Sequence, residues 1–398
     1  MEKIDKLRKL FHSKYVTILY LSVILLSFCY IGFLSPIDKV IKLITYVMSS
    51  IYIMLYLIDR KFTKYSKLLM LFFIVSLIAT IIGSDASIVD FSKLYVKILG
   101  LSFFLERSII NNPKDTIKYL YHILWVLIFI NFMTIIMFPH GLYVSERYTN
   151  NWFFNYDNTH IMWYFAAILT SYINSEINKT SNKRVISVYV MYVMISFALG
   201  YCMSSNSVVT YFIFIMYCAF YKLIKNIKCL NYRTYLYLFI LLNVSFVFFR
   251  IQNSLSWFIV GILGKSLTLS SRTMIWDKTI KLISKSPVIG YGYEPTKVFV
   301  SKMHNVHYTH AHNTLLDITY KGGIISMVTF MMMLFSFDKD IKKCKNREIA
   351  NIVSIILLCL MVMMIFEARQ DKIGLYIIFT LASCINCYKN RKGGIKHE

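Results

Sequence analysis

The chain consists largely of long apolar runs that are separated by short polar connections. A helix needs about 20 mostly apolar residues to cross the hydrocarbon core of a bilayer. Because the runs are continuous and do not alternate with polar residues, they predict spanning helices and not barrel strands. We therefore predict an all-α polytopic membrane protein with about 12 transmembrane helices, forming a single integral membrane domain over residues 1–398. The predicted spans are 15–34, 40–58, 67–83, 88–105, 118–138, 159–177, 185–202, 207–223, 234–249, 323–337, 350–366 and 373–388.

Charge is distributed unevenly between the connections. The formal net charge is +24, which in a soluble protein would suggest a nucleic-acid partner. If the N-terminus is cytoplasmic, every second connection is cytoplasmic as well, and these connections hold 28 of the 44 Lys and Arg residues. Short basic connections mark the cytoplasmic side of a membrane protein. We therefore predict cytoplasmic termini and no nucleic-acid partner.

Two segments on the predicted outer side are longer than the other connections. The first functional outer loop is 139–158, and a large outer loop covers 250–322 between the ninth and tenth spans. Long connections in compact proteins are usually functional or disordered. The large loop is too rich in apolar residues for a solvated coil, so we predict that it is partly helical.

The large outer loop contains three helical patterns. In SSRTMIWDKTIKLISKSPVIGYGY (270–293), a serine can cap the first turn, and Trp276, Ile280 and Ile283 form one apolar stripe. Such a helix suits the membrane–water interface. Pro295 can open a second short helix. A third pattern, HNTLLDITYK, starts at His312 and Asn313, and a helix start favours an anionic ligand.

The few basic residues of the predicted outer side are the first candidates for a functional site. Arginine binds phosphate oxygens bidentately and stays charged, so Arg147, Arg250 and Arg272 suit a membrane-anchored diphosphate. Each has a structural alternative, and Arg250 at the end of a span suits an interface anchor. Aromatic and amide side chains suit a sugar, which makes Trp276 and Asn158 candidate substrate-binding residues.

Four histidines, His304, His307, His310 and His312, lie close together in the large outer loop. Their spacing does not match a zinc arrangement, so we predict no metal site. His312 has the intrinsic pKa of a general base or of a hydrogen-bond donor to phosphate, and the sequence does not choose between these roles. Asn313 and Asp317 are candidates to orient it.

The order of these motifs resembles the O-antigen ligase and polymerase family, the Wzy-like integral membrane glycosyltransferases. The ligase-type signature is His, a small polar residue, nine further residues, Gly, and a small residue three positions later. His312, Asn313, Gly323 and Ser326 occupy these places, with Ser326 where Gly is more usual. Arg272 within SSRT matches the second arginine of the family.

The first outer loop resembles the family more loosely. Arg147, followed by YTNNWFFNYDN, resembles the first arginine, and Asn158 matches the Asn that opens the next span. Asn150 stands where the family usually has Gly.

The resemblance implies the activity, the substrates and the location. Members transfer a glycan from a polyprenyl-diphosphate carrier to an acceptor hydroxyl on the outer face of the bacterial plasma (inner) membrane, without a metal, cofactor or nucleotide sugar. Arg272, His312 and Arg147 would be catalytic, and Asn313, Asp317, Trp276, Asn158 and Arg250 would bind substrate. The partners implied are a polyprenyl-diphosphate-linked oligosaccharide and membrane lipid, with a flippase and a chain-length regulator as further candidates.

Three functions remain open from the sequence. A polymerase joins lipid-linked repeat units into a capsule or O-antigen chain, whereas a ligase moves the finished glycan to another acceptor. We favour the polymerase because that branch of the family is more numerous and divergent. The alternative from another class is a lipid-linked oligosaccharide flippase, which needs polar residues along a path through the bundle. Here the polar residues gather in the two outer loops.

Overall fold

The computed structural model describes residues 13–32, 35–60, 62–145, 150–199, 204–224, 227, 230–254, 256–262, 271–306 and 308–388. Arg147 and His307 lie outside the described residues.

The described residues form an almost wholly helical structure, which confirms the predicted all-α class. The first half of the chain contains α1 (Lys14–Leu26), α2 (Ser35–Asp59), α3 (Lys64–Ile82), α4 (Ile88–Asn111), α5 (Pro113–Met137), α6 (Asp157–Asn178) and α7 (Lys183–Ala198). The second half contains α8 (Ser205–Ala219), α9 (Tyr221–Ile224), α10 (Tyr232–Val247), α11 (Arg272–Ile283), α12 (Thr296–Met303), α13 (Thr314–Lys343), α14 (Arg347–Phe366) and α15 (Ile373–Ser383). A short antiparallel hairpin, β1 (Asn151–Trp152) and β2 (Asn155–Tyr156), precedes α6.

Each of the twelve predicted spans coincides with a helix, but the helices differ in length. Within the described residues, five helices are long and apolar enough to cross a membrane: α2, α3, α5, α13 and α14. The first span is shorter than predicted, since α1 ends at Leu26 and not near residue 34. At 1.5 Å per residue, its 13 residues cover about 20 Å of a core about 30 Å thick. The structure therefore supports a multi-helix membrane protein, and twelve crossings remain a prediction.

The charged residues of α4 are accommodated in two ways. Lys97 is buried, with its ammonium 3.4 Å from the carbonyl oxygen of Ser27 and 4.1 Å from the ring centre of Phe28. Asp90 and Lys93 form an exposed pair in the first turns of the helix. Of the three charged residues within the predicted span 88–105, one is thus buried and two are exposed.

The large outer loop is partly helical, as predicted. Helix α11 buries Ile275, Trp276 and Thr279, close to the predicted stripe. The expected serine cap is wrong for Ser271, which lies at φ 67° and makes no capping hydrogen bond with its side chain. Pro295 precedes α12 directly, as expected.

A kink at Gly323 divides α13 into a first arm, residues 314–322, and a second arm, residues 324–343. Gly323 adopts φ 66° and ψ −174° in the middle of the helix. The turn that follows α11 packs against this kink, where the amide of Ile324 donates to the carbonyl of Pro287 (2.8 Å) and that of Gly292 to the carbonyl of Lys321 (2.7 Å). A Cβ at Gly323 would collide with the backbone of Val288. Only glycine allows both the backbone conformation and this close approach.

Close packing also explains the small residue at the end of the predicted signature. Ser326 is buried, and its hydroxyl lies 3.4 Å from that of Ser76 on α3. Helices α3 and α13 pack along much of their length. The serine that departs from the usual glycine is therefore compatible with tight contact between two helices.

Candidate active site

Glu367 is the centre of a cluster of charged and polar side chains. It follows α14 directly, and its side chain is 2% exposed. Oε1 forms a hydrogen bond with Nε2 of His310. Oε2 lies 3.3 Å from Nδ1 of His312, 3.8 Å from Nη2 of Arg272 and 3.5 Å from Nδ2 of Asn158. One carboxylate therefore joins residues from three other parts of the chain.

Arg272 is oriented by the end of a neighbouring helix. It is the first residue of α11, and its Nε donates to the carbonyl oxygen of Phe366 at 2.8 Å. The last carbonyls of a helix lack partners within the helix, so this bond satisfies one of them in α14. Nη2 of the same guanidinium faces Glu367, and the Arg272 side chain as a whole is 20% exposed. The bond to Phe366 fixes the direction in which the arginine presents its charge.

The two histidines lie in the connection before α13. Their ring centres are 3.9 Å apart, with 33° between the ring planes. Nδ1 of His310 contacts the hydroxyl of Thr309 at 2.9 Å. His312 adopts φ 48°, which turns the chain immediately before the helix begins. Both rings therefore meet Glu367 from the same side of the cluster.

The surroundings shift the pKa values of Glu367 and His312. Burial alone would raise the pKa of Glu367, but His310 and His312 outweigh it and hold the pKa well below its usual range. Burial is the largest influence on the pKa of His312 and lowers it, Glu367 raises it, and His310 and Arg272 lower it further, so that the pKa lies below its usual value. Glu367 is therefore ionised and His312 neutral at pH 7, as an orienting carboxylate and a proton acceptor require.

Asn313 and Asp317 fix the backbone next to the cluster. Asn313 caps α13 by accepting from the amide of Leu316, and its Nδ2 donates to Asn243 (2.8 Å) and to the carbonyl of Ile365 (2.9 Å). Asp317 accepts from the amide of Ala311 at 3.2 Å. Both side chains are fully buried. They hold the histidine connection in place and are occupied by the protein itself.

Asp317 also tethers the segment that follows Glu367. Its Oδ2 accepts from Nζ of Lys321 at 2.7 Å and from the amide of Gln370. Lys321 in turn contacts Asp371 at 3.2 Å. The 367–372 connection is thus bound to the first arm of α13 through Asp317 and Lys321.

Arg250 and Trp276 lie together behind Arg272. Arg250 forms an ion pair with Asp277, and its guanidinium carbon lies 5.8 Å from the ring centre of Trp276. Trp276 is fully buried in α11. These contacts join the end of α10 to α11. Arg147, the remaining predicted catalytic residue, falls outside the described residues, so the structure leaves its role a prediction.

Three side chains of the cluster have the donor types of a metal site. The ligand atoms of His310, His312 and Glu367 all lie within 4.8 Å of one another. Two histidines and a carboxylate can hold a divalent cation. Arg272 lies 3.8 Å from the same carboxylate and opposes a second positive charge there. The arginine therefore favours an anion next to this cluster.

Two cavities open beside the cluster. The smaller has a volume of about 120 Å³ and is lined by His310, Thr309 and Lys321 among others. The larger has a volume of about 430 Å³ and lies between the hairpin, the first turns of α6 and the start of α15. Tyr156 borders both cavities. His310 thus lines a cavity that shares Tyr156 with a larger one.

Sequence reasoning did not identify Glu367 and gave His310 no role. Glu367 is 55 residues from His312 along the chain, so no local motif joins the two. The connection EARQDK (367–372) did carry a signal, since five of its six residues are polar between two strongly apolar helices. Polar and charged residues are costly near a membrane and are usually functional there.

Comparisons with known proteins agree with the motif analysis. Residues 158–331 match the family described as O-antigen ligase. A polysaccharide ligase of Rickettsia felis is 28% identical over 85 residues, which are 19% of this chain and 21% of that protein. The exopolysaccharide production protein ExoQ of Rhizobium meliloti is 29% identical over 104 residues, 23% of either chain. No solved structure matches the chain.

The comparisons cover only part of this chain and of its relatives. Each curated relative is matched over less than a quarter of its own length. The resemblance to the Wzy-like family is confirmed over a segment that contains Asn158, Arg272 and His312, whereas Arg147 and Glu367 lie outside it. The comparisons support a membrane protein of polysaccharide biosynthesis.

Proposed function

We propose that the protein is a glycosyltransferase that polymerises polyprenyl-diphosphate-linked oligosaccharide repeat units into a surface polysaccharide. The single observation that carries this proposal is the cluster in which Arg272 and His312 meet the same carboxylate, Glu367. It places an anion-binding group beside a proton acceptor. Transfer of a glycan from a diphosphate to a hydroxyl requires these two groups.

Arg272 would bind the diphosphate as it leaves. Negative charge on the leaving group grows in the transition state, so a donor fixed in direction lowers the barrier. Arg272 is fixed by its bond to Phe366, and its side chain is partly exposed. Charge on the carrier can therefore be stabilised without a metal ion. The lowered charge density of an arginine-paired diphosphate makes it a better leaving group.

His312 would accept the proton of the attacking hydroxyl. Its Nδ1 faces the ionised Glu367, which favours the tautomer with the proton on Nδ1 and leaves Nε2 to accept. The lowered pKa keeps the ring neutral before the reaction. In the transfer, the hydroxyl oxygen bonds to the anomeric carbon while the bond from that carbon to the diphosphate oxygen breaks. The hydroxyl proton goes to Nε2, and the bonding electrons leave with the polyprenyl diphosphate.

The proposed location follows from the predicted topology. The cluster lies among connections that the charge distribution assigns to the outer face of the plasma membrane. Both termini would then be cytoplasmic, and a flippase would deliver the lipid-linked substrate to this face. A chain-length regulator is a further proposed partner.

A ligase is the second candidate, because the matched family is described as O-antigen ligase and the Rickettsia protein as a polysaccharide ligase. A ligase would use the same chemistry with a different acceptor. The two functions differ in one assay, in which the purified protein is supplied with lipid-linked repeat units alone. A ladder of products supports the polymerase, and a single transfer that requires a second acceptor supports the ligase. No transfer under either condition would refute the proposed activity.

A further inference from the structure

We propose that the two cavities form one groove, and that this groove binds the acceptor oligosaccharide and not the carrier lipid. This inference rests on the proposed glycosyl transfer and adds the site at which the attacking sugar is held. Tyr156, Asp371 and Lys372 line both cavities, and we call these three residues the waist. Because the cavities share three walls, a ligand can extend from one into the other.

The groove has the size and lining of a ligand site. At about 430 Å³, the larger cavity falls within the common range of about 300–1,000 Å³. Tyr143 and Trp163 line it together with Asn155 and Ser145. Aromatic rings offer apolar faces for the C–H surfaces of a sugar, and polar groups bind its hydroxyls. The mixture suits an oligosaccharide better than an isoprenoid chain.

The walls of the larger cavity are fixed before any ligand arrives. The hydroxyl of Tyr143 donates to Oδ1 of Asn155 at 2.8 Å, and Nδ2 of Asn155 donates to the carbonyl of Phe28 at 3.1 Å. The ring of Tyr143 stacks on that of Tyr30, with 3.4 Å between ring centres. A wall that is already ordered loses little entropy on binding.

Charge at the waist argues against the polyprenyl chain. The ammonium of Lys372 lies 5.3 Å from the ring centre of Tyr156. Asp371 accepts from the hydroxyl of Tyr95 at 2.9 Å. An apolar chain at the waist would remove the charged groups of Lys372 and Asp371 from water without forming hydrogen bonds to them. Sugar hydroxyls can replace the lost water.

The groove reaches the cluster from the side opposite the arginine. His310 binds Oε1 of Glu367 and lines the smaller cavity. Arg272 meets Oε2, and Nδ1 of His312 lies between the two oxygens, 3.2 Å from Oε1 and 3.3 Å from Oε2. Neither residue borders the two cavities within the described residues. The donor diphosphate and the acceptor sugar would thus approach Glu367 from its two sides. Because the histidine rings are 3.9 Å apart, a sugar that ends against His310 brings its hydroxyl close to His312.

The test measures binding of a sugar without its lipid. The probe is the repeat-unit oligosaccharide of the host's own surface polysaccharide, released from its carrier by mild acid. Its binding to the full chain in nanodiscs is followed by saturation-transfer NMR. We expect the wild type and His312→Ala to bind it. Tyr156→Ala and Lys372→Met should each weaken binding about tenfold, a loss of about 1.4 kcal/mol.

Two further variants separate recognition from folding. Tyr156→Phe keeps the ring and should retain binding, whereas Trp257→Ala removes an exposed aromatic side chain outside both cavities and serves as the matched control. In the transfer assay, Lys372→Met should raise KM for the acceptor and leave kcat nearly unchanged.

The outcomes distinguish the groove from the proposed activity. If the wild type does not bind the probe, or if polyprenol displaces it, the groove proposal is overturned. Unchanged binding by Tyr156→Ala and Lys372→Met would overturn it as well. Binding without transfer would instead refute the proposed function and leave the groove in place.

Discussion

Arg272 and His312 approach the same carboxylate, that of Glu367, from two different parts of the chain. Oε2 of Glu367 lies 3.8 Å from Nη2 of Arg272 and 3.3 Å from Nδ1 of His312. The arginine begins α11, and the histidine precedes α13. A single buried carboxylate therefore sets the distance between the proposed leaving-group donor and the proposed base.

Arg272→Ala should reduce glycan transfer by about 10²- to 10³-fold, because it removes one fixed donor to the leaving group. Arg272→Lys should recover part of the rate, since lysine restores the charge without the planar fork. Product ladders from purified protein measure both effects. Arg233→Ala is the matched control, because Arg233 also pairs with a carboxylate, that of Asp338, away from the cluster. A normal ladder from Arg272→Ala would remove Arg272 from the site.

Glu367→Gln should lower the rate by at least about 100-fold, since an amide no longer enforces the tautomer of His312. The protein should still insert into the membrane, because Gln retains the size of the side chain. Transfer by the purified variant is compared with its melting temperature in detergent. A variant that melts as the wild type does and transfers at the wild-type rate would show that Glu367 has no role.

The pH dependence of transfer should have an acid limb below pH 6.5. Burial first, with His310 and Arg272, lowers the pKa of His312 from its usual 6.5, whereas Glu367 raises it. The base form is neutral, so activity is lost as the pH falls through this lowered value. Glu367→Gln removes the raising influence, and its residual acid limb should shift to lower pH. A shift to higher pH would contradict the assignment of His312 as the base.

Gly323→Ala should destabilise the protein by about 1–3 kcal/mol, because alanine does not tolerate φ 66° with ψ −174°. The added Cβ would also displace Val288 from the kink. Gly261→Ala is the matched control, since its Cβ would meet no atom of the residues that the structure describes. Thermal unfolding in detergent compares the two variants. Equal melting temperatures would show that the turn after α11 is not fixed by this glycine.

Chelators should leave the rate of transfer unchanged. His310, His312 and Glu367 have suitable donors for a cation, but Arg272 already places positive charge 3.8 Å from the carboxylate. EDTA treatment followed by the transfer assay tests this expectation. Loss of activity that a divalent ion restores, and that His310→Gln abolishes, would establish a metal-dependent site.

The sequence was most informative where the signal is local. Apolar runs located the helices, since hydrophobic length determines membrane insertion. Arg272, His312 and Asn158 were identified from local motifs, and the structure brings all three to Glu367. Helix ends were less predictable, as the early end of α1 at Leu26 illustrates.

Long-range pairing was beyond the sequence. Asn313 and Asp317 look like candidate ligands in a one-dimensional pattern, but their donors and acceptors are taken up by Asn243, Ala311 and Gln370. Whether a polar side chain serves a substrate or the fold depends on which distant group lies against it. That information emerges only when α10, α13 and α14 pack together.

Glu367 lies 36 residues beyond the end of the family match at residue 331. A chain truncated after α13 would keep every motif by which the site is recognised, yet its histidine would lack the carboxylate that orients it. Completion of the site therefore waits for the last two helices to be synthesised and inserted. Judged by its motifs alone, such a fragment would be wrongly taken for an active protein.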